Sequence, residues 1–335
     1  MPVAGDLFSQ QESNRRKSSW LLIGFIFFFA WVGFGGDAAL YLLTADAAPG
    51  DYRHGAPVVG IVATLVAAAL AWASWQWGDR QVLWATHAME LVHPGTPAQQ
   101  QFINVVDEMV IASGMPRPTL YLVPDTDPNA FATGRDPRHA AIAVTDGLLD
   151  ALDRDELQAV VAHEMAHIAR QDTQLMTLVA AMVGSIALLS DGLGRFLWHS
   201  GRTGASAARA LGGRGSRNVV SGAFVLVAWL ATLVLAPLVS RLVAMAISRK
   251  REFLADATGA QYSRNPAALA SALEKLEASR MPTAAVGRGA AHLCIVDPAD
   301  RRFQRWKGLL GDVMASHPPV EERVRRLRAM AGRSG

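Results

Sequence analysis

The stretch Val160–Ser190, VVAHEMAHIARQDTQLMTLVAAMVGSIALLS, decides how this chain is read. Its first half carries His163 and His167, four residues apart, so on an α-helix both imidazoles lie on one face, one turn apart. Its second half, from Leu175 on, has no charged residue, and no proline or glycine separates the halves. The sequence therefore predicts a polar, metal-binding helix that runs straight into a segment suited to lipid.

The rest of the chain supports the lipid half of that reading. Of 335 residues, 51% are hydrophobic and only 18% are charged, and the mean hydropathy is +0.18. The excess is concentrated in runs: Trp20–Gly36, Val58–Trp77, Leu175–Ser190, and Val219–Ile247, where Arg241 is the one charge. A span needs roughly 17–25 apolar residues. The first, second and fourth runs are long enough, and the third is marginal unless it borrows from its flanks. Trp20, Trp72, Trp75 and Trp77 suit interfacial anchoring. A core helix of that length need not be apolar all round, which disfavours the soluble alternative. Arg15–Lys17 would serve as the basic start of a signal peptide, but the apolar run is long and lacks a clear small-x-small cleavage site, so a retained anchor is expected.

Other classes recede. Cys294 is the one cysteine, which removes any internal disulfide framework and fits a reducing compartment. The net charge of +3 comes from arginines scattered among acids, so no nucleic-acid groove is expected. The nearly bare spans lack the ionisable residues of a transporter or channel.

Five segments are expected. Residues 1–18 form a cytosolic tail, and residues 19–77 form two spans joined by an external loop, Asp37–Ala56. Residues 78–173 form a soluble part carrying the histidines, residues 174–247 an apolar hairpin, and residues 248–335 a second soluble part. Thr96 caps a helix with Pro97 at its first position, and Gly114 ends it. Phe102, Val105, Met109 and Val110 fall on its buried face. Thr119–Val123 and Ala140–Val144 read as strands, and the turn-rich residues 124–139 as the connection between them. Asp153 and Glu156 make a capping box for the histidine-bearing helix. Asn265 and Pro266 open a later helix with Leu269, Leu273 and Leu276 inward. Residues 281–315 show no clean period, and 202–218 read as a flexible loop. A last helix carries Val320, Val324 and Leu327 inward.

The chemistry starts from His163-Glu164-Met165-Ala166-His167. Two imidazoles at this spacing reach one Zn²⁺ at about 2.0–2.1 Å. Glu164 is placed to accept the proton of a water that the metal acidifies. A carboxylate-bridged di-iron site would need a second Glu-x-x-His, which the chain lacks. A catalytic zinc needs a third protein ligand, and Glu252 is the best candidate. Asp256, one turn further, could fix the tautomer of a ligand histidine. Spacing alone leaves open an exposed acidic pair beside Arg249, Lys250 and Arg251.

Four segments resemble the HtpX membrane metalloproteases, relatives of the CAAX prenyl-protein endopeptidases. They are AVVAHEMAHIARQD (159–172), REFLADATGAQYS (251–263), SHPPVEERVRRL (316–327) and NAFATGRDPRHAAIAVTDGLL (129–149). The resemblance covers most of the chain from Leu120 on. It implies a mainly α membrane protein, with four apolar helices and a gluzincin-type cytosolic metalloprotease domain holding a small strand element. It implies one Zn²⁺ per chain held by His163, His167 and Glu252, with Glu164 as general base and Asp256 and Arg323 behind the ligands. It further implies an edge strand at Asn129, Ala130, Phe131 and Ala132 that pairs with substrate. His317 would donate to the oxyanion. The expected activity is hydrolysis of peptide bonds in damaged or misassembled membrane proteins, in a bacterial inner membrane with the site facing the cytoplasm. The competing reading is a non-catalytic, zinc-containing membrane scaffold or partner-binding protein, against which Glu164 argues, because a structural zinc site needs no base.

Overall fold

The structure is a computed structural model that describes residues 4–45, 50, 53–182, 249–279, 293–296 and 318–332. The third apolar run beyond residue 182, the whole fourth run, the 202–218 loop and His317 lie outside the described residues, as does most of 281–315. The chain divides into two compact units. One comprises Met1–Ser18, Ser74–Ala181 and Leu242–Gly335, and the other Ser19–Ala73 and Met182–Arg241.

Helix α1 spans Ala4–Thr44 and helix α2 spans Val58–Ala85. Both contain stretches long and apolar enough to cross a membrane, and only 17% and 22% of those windows is buried. Core helices of a soluble protein would hide such surface, whereas Phe27 is 70% and Leu65 65% exposed. Helix α2 has a non-helical residue at Trp77, where its apolar run ends.

In the second unit the expected loop from Asp37 is corrected: α1 continues to Thr44, and Asp37 is a helical residue only 4% exposed. The reason is a demand from α2, whose first N–H groups have no partner within their own helix. Asp37 Oδ2 accepts from Gly60 N at 2.5 Å, and Oδ1 accepts from Val59 N at 3.3 Å. His54 Nε2 lies 2.6 Å from the same Oδ1. The two helices meet where side chains are missing: a Cβ on Gly33 would sit 2.7 Å from Gly60 Cα.

The other unit is built on a four-stranded sheet of order β1-β2-β4-β3. The strands are β1 (Met89–Glu90), β2 (Thr119–Val123), β3 (Ala130–Gly134) and β4 (Ala140–Thr145). β2 and β4 run parallel, and the outer pairs are antiparallel. The turn-rich reading of residues 124–139 is corrected in part, since β3 lies inside it, where the family resemblance placed a strand. All five β3 residues are buried.

Helix α3 (Pro97–Ser113) starts at Thr96, whose side chain accepts from Gln99 N, and stops at Gly114 with φ 68°. Phe102, Val105, Val106 and Met109 face the core from it. A short α4 (Asp146–Ala151) precedes α5 (Arg154–Ala169), which opens on the full Asp153–Glu156 capping box. α6 (Arg249–Ser263), α7 (Pro266–Ala278) and α8 (Val320–Ala331) complete the layer packed on α5. Leu269, Leu273, Leu276, Val324 and Leu327 are buried there.

One expectation about α5 is corrected. The helix does not pass smoothly into the apolar segment. Gln171 takes the left-handed conformation, φ 55°, and a new helical stretch runs over 172–182. The physical reason is side-chain capping. The carbonyls of Ala169 and Arg170 accept from Gln11 and Asn14 of α1, so α5 can end without a glycine.

Candidate active site

Helix α5 is buried along most of its length, and the metal motif sits in that buried part. His163, Glu164 and His167 are 0%, 2% and 5% exposed. Helix α6 crosses α5 closely enough that a Cβ on Gly259 would lie 2.9 Å from His163 Cα and N. That approach brings Glu252 and Asp256, one turn apart on α6, against both histidines. Both acids are buried, so the exposed-pair alternative is overturned.

His163, His167 and Glu252 each offer a ligand atom within 4.8 Å of the others, and among the described residues this is the group that could hold an ion. Glu252 Oε2 lies 3.8 Å from His163 Nε2, and Oε1 lies 3.6 Å from His167 Nε2. These gaps exceed a hydrogen bond. Two donors each about 2.0–2.2 Å from one ion are separated by no more than about 4.4 Å, so the gaps suit a shared ion. His163 Nε2 is buried with no hydrogen-bond partner among the described residues, which a bound cation would correct. The residues present therefore fit the metal that the motif implies.

Each imidazole has a carboxylate behind it, hydrogen-bonded for His167 and at ion-pair distance without hydrogen-bond alignment for His163. His163 Nδ1 is 3.1 Å from Asp256 Oδ1. Asp256 is gripped in turn by Arg323 of α8, whose Nε and Nη2 donate to its two oxygens at 2.9 and 2.7 Å. Arg323 Nη1 donates to the Ile295 carbonyl at 3.0 Å and lies 3.5 Å from Glu252 Oε2. Burial pushes the Asp256 carboxyl up, but the Arg323 guanidinium and His163 together outweigh it and hold the group below the usual carboxylate range. Burial opposes the charge on Arg323 as well, and Asp256 raises its pKa despite that. His167 Nδ1 faces Asp172 Oδ2 at 3.2 Å.

Sequence reasoning passed over two of these neighbours. Asp172 closes the quoted motif, five residues after His167, with nothing in its own neighbourhood to mark it. Arg251 stands with Arg249 and Lys250 in a basic trio that reads as solvent-facing, but its side chain is only 13% exposed, 4.0 Å from Asp172 Oδ1. Its Nε and Nη1 have no hydrogen-bond partner among the described residues, and burial lowers its pKa.

Glu164, next to His163 on α5, is buried beside the cluster. Burial raises its pKa above the ordinary value, with Glu252 adding to the rise and the two histidines opposing it. The nearby Ala132 backbone N–H opposes the rise as well. β3 is an edge strand, yet part of its outer side is already taken. Ile295 N donates to Ala130 O at 2.9 Å, Phe131 bridges Cys294, and Asn129 Nδ2 donates to Val296 O at 3.0 Å. Among Asn129, Ala130, Phe131 and Ala132, it is Ala132 that lies next to Glu164. The structure thus brings His163, Glu164, His167, Glu252, Asp256, Arg323 and Ala132 into one site.

Comparison with known proteins agrees with the geometry. The profile described as peptidase family M48 matches residues 97–331. A protease HtpX homolog of Tropheryma whipplei (strain Twist) is 37% identical over 316 residues, 94% of this chain and 96% of its own. One of Lactobacillus helveticus is 33% identical over 325 residues, 97% of this chain and 100% of its own. A crystal structure of S. mikatae Ste24p covers 89% of this chain and 63% of its own at TM-score 0.40 and 16% identity. With a family match over most of its length and near-full-length relatives, the chain belongs to peptidase family M48.

Proposed function

We propose that this protein is a membrane-bound zinc endopeptidase of the gluzincin type, with His163, His167 and Glu252 as the ligands of one Zn²⁺ per chain. The observation that carries the reading is the convergence of those three buried donors from α5 and α6, each histidine backed by its own carboxylate. When bound, zinc supplies an acidified water and polarises the scissile carbonyl. The remaining work falls to the protein. Glu164 is the general base: its buried carboxylate takes the proton of the attacking water and returns it to the leaving amine. Its raised pKa moves it toward the pH at which a base is both ionised and a good acceptor. Asp256 and Asp172 keep the Nδ1 protons on the far side of the rings, so that Nε2 of each imidazole is the free donor. Arg323 neutralises Asp256 and positions it. An extended substrate strand pairs along the β3 edge at Ala132, beyond the part occupied by residues 293–296. His317 donates to the developing oxyanion.

The substrates are damaged or misassembled membrane proteins, and the partner surface is the lipid bilayer. The segment boundaries at residues 18, 77, 173 and 247 describe four spans with both soluble parts on the cytoplasmic side of a bacterial inner membrane. The charges of Arg15, Arg16, Lys17, Arg249 and Lys250 support that orientation. Arg195, Arg202, Arg209, Arg214 and Arg217, which it would place outside, oppose it and fit a 174–247 hairpin that turns back without crossing.

The test is purified protein, metal analysis and an unstructured protein substrate. Glu164→Gln is expected to keep its zinc and lose nearly all kcat, because an amide removes the base and leaves the ligands. Glu252→Ala is expected to lose metal and activity together. Full turnover by Glu164→Gln would sink the mechanism, and wild-type zinc content in Glu252→Ala would sink the ligand assignment. A zinc scaffold would be indifferent to Glu164→Gln.

A further inference from the structure

The end of helix α5 is closed from an unexpected direction. Gln11 Nε2 donates to the Ala169 carbonyl at 2.7 Å, and Asn14 Nδ2 donates to the Arg170 carbonyl at 3.1 Å. The same Asn14 nitrogen donates to Asp172 Oδ1 at 2.8 Å, so both of its N–H bonds are used. Gln10 Oε1 accepts from the Arg170 guanidinium. Gln10 and Gln11 stand four and three residues before Asn14, so all three fall on one face of α1. Asn14 is 5% exposed and Asp172 1% exposed, which shields these bonds from water.

These contacts form a continuous path to the metal centre. Asn14 fixes one oxygen of Asp172, and the other oxygen faces His167 Nδ1 at 3.2 Å. A carboxylate held by one oxygen cannot swing freely, so the other presents a fixed acceptor to the imidazole. That contact sets the tautomer and ring orientation that leave His167 Nε2 toward Glu252. We infer that Asn14 is a positioning residue of the zinc site, acting through Asp172 on His167, and that the N-terminal stretch of α1 is a working part of the catalytic unit. Gln10 and Gln11 hold that stretch in place on the end of α5. The inference rests on the zinc reading of the His163–His167–Glu252 cluster.

The experiment measures zinc affinity of the purified full chain in detergent, by competition with a chromophoric chelator. Thermal unfolding of the metal-stripped protein is the check on folding. Asp172→Ala is expected to weaken zinc binding by about 10–100-fold. Asn14→Ala should weaken it by roughly 3–10-fold, the effect of one ordinary net hydrogen bond. In the double variant the Asn14 effect should vanish, because its route to His167 is gone. Asn14→Asp, nearly isosteric, sets an acceptor against Asp172 and should bind zinc more weakly than Asn14→Ala. Glu12→Ala, an exposed neighbour on the same stretch, should match wild type. Wild-type affinity in Asn14→Ala, or additive effects in the double variant, would overturn the inference. A wild-type protein that takes up no zinc would fail at the earlier reading, and this experiment separates the two failures.

Discussion

Arg323 is a guanidinium with 1% of its surface exposed, a placement that is costly unless every face of the group is engaged. Here the fork meets Asp256 at both oxygens and the remaining nitrogen meets Ile295 O. Arg323→Ala leaves the Asp256 carboxylate buried with no cation, and a loss of about 3–5 kcal/mol is expected in denaturant unfolding. Arg323→Lys should recover only part of it, since a single ammonium cannot span two carboxylate oxygens. Which of these residues were legible in sequence follows from how their signals arise. His163, Glu164 and His167 share a local helical spacing, so they stand out unaided. Glu252 could be named as the best third ligand from the chain alone, but only the family pattern separated it from an exposed acid. Arg323 rested on that pattern entirely, because nothing local ties it to a site far along the chain. Asp172 and Arg251 were missed, because burial by distant elements leaves no mark on neighbouring letters. Arg251 in particular sits in a basic trio that reads as solvent-facing charge.

At the level of the elements, the decisive contact is α5 against α6, and it turns on a missing side chain. A Cβ on Gly259 would also lie 3.2 Å from Ala162 C, against backbone that cannot step aside. Gly259→Ala is therefore expected to push α6 outward and carry Glu252 and Asp256 with it. The expected result is a loss of about 1–3 kcal/mol in unfolding, with reduced metal stoichiometry in the same sample. Retention of full metal would show that α6 tilts and does not retreat. The helices were largely readable: Thr96, Asp153 and Asn265 mark their starts with side chains that do cap them. β2 and β4 were readable as short apolar runs, β4 buried on both faces and β2 leaving Thr119 exposed and Tyr121 half-buried on one. β3 was not, because Ala-Phe-Ala-Thr-Gly lacks the β-branched pattern and its pairing comes from β4. The break at Gln171 was hidden for a related reason: the side chains that terminate α5 belong to α1.

For the molecule as a whole, acid should dismantle the metal site before it dismantles the fold. The ligand histidines must be neutral to bind, and ordinary histidine titrates near about 6.5. Asp172 raises the His167 value despite its burial, so protons compete with metal there from a higher pH. Asp256 is shifted the other way. A depressed carboxyl contributes stability above its unfolded value, about 3.9, and that stability is lost only as pH falls through the lower folded value. Zinc content followed on acidification should therefore fall well before far-ultraviolet circular dichroism reports unfolding. Simultaneous loss would mean that metal and fold form one cooperative unit. The two candidate spans were legible from composition because lipid imposes length and apolarity on every residue of a span. The buried pair of Arg323 and Asp256 also sets a timetable. Translation delivers the two histidines first, then Glu252 and Asp256, and only later the arginine that makes Asp256 tolerable in the interior. A nascent chain that has not reached α8 holds its ligands but not the cation that orders them. Ordering of the ligand set, and with it metal capture, then has to wait until α8 is made and packed.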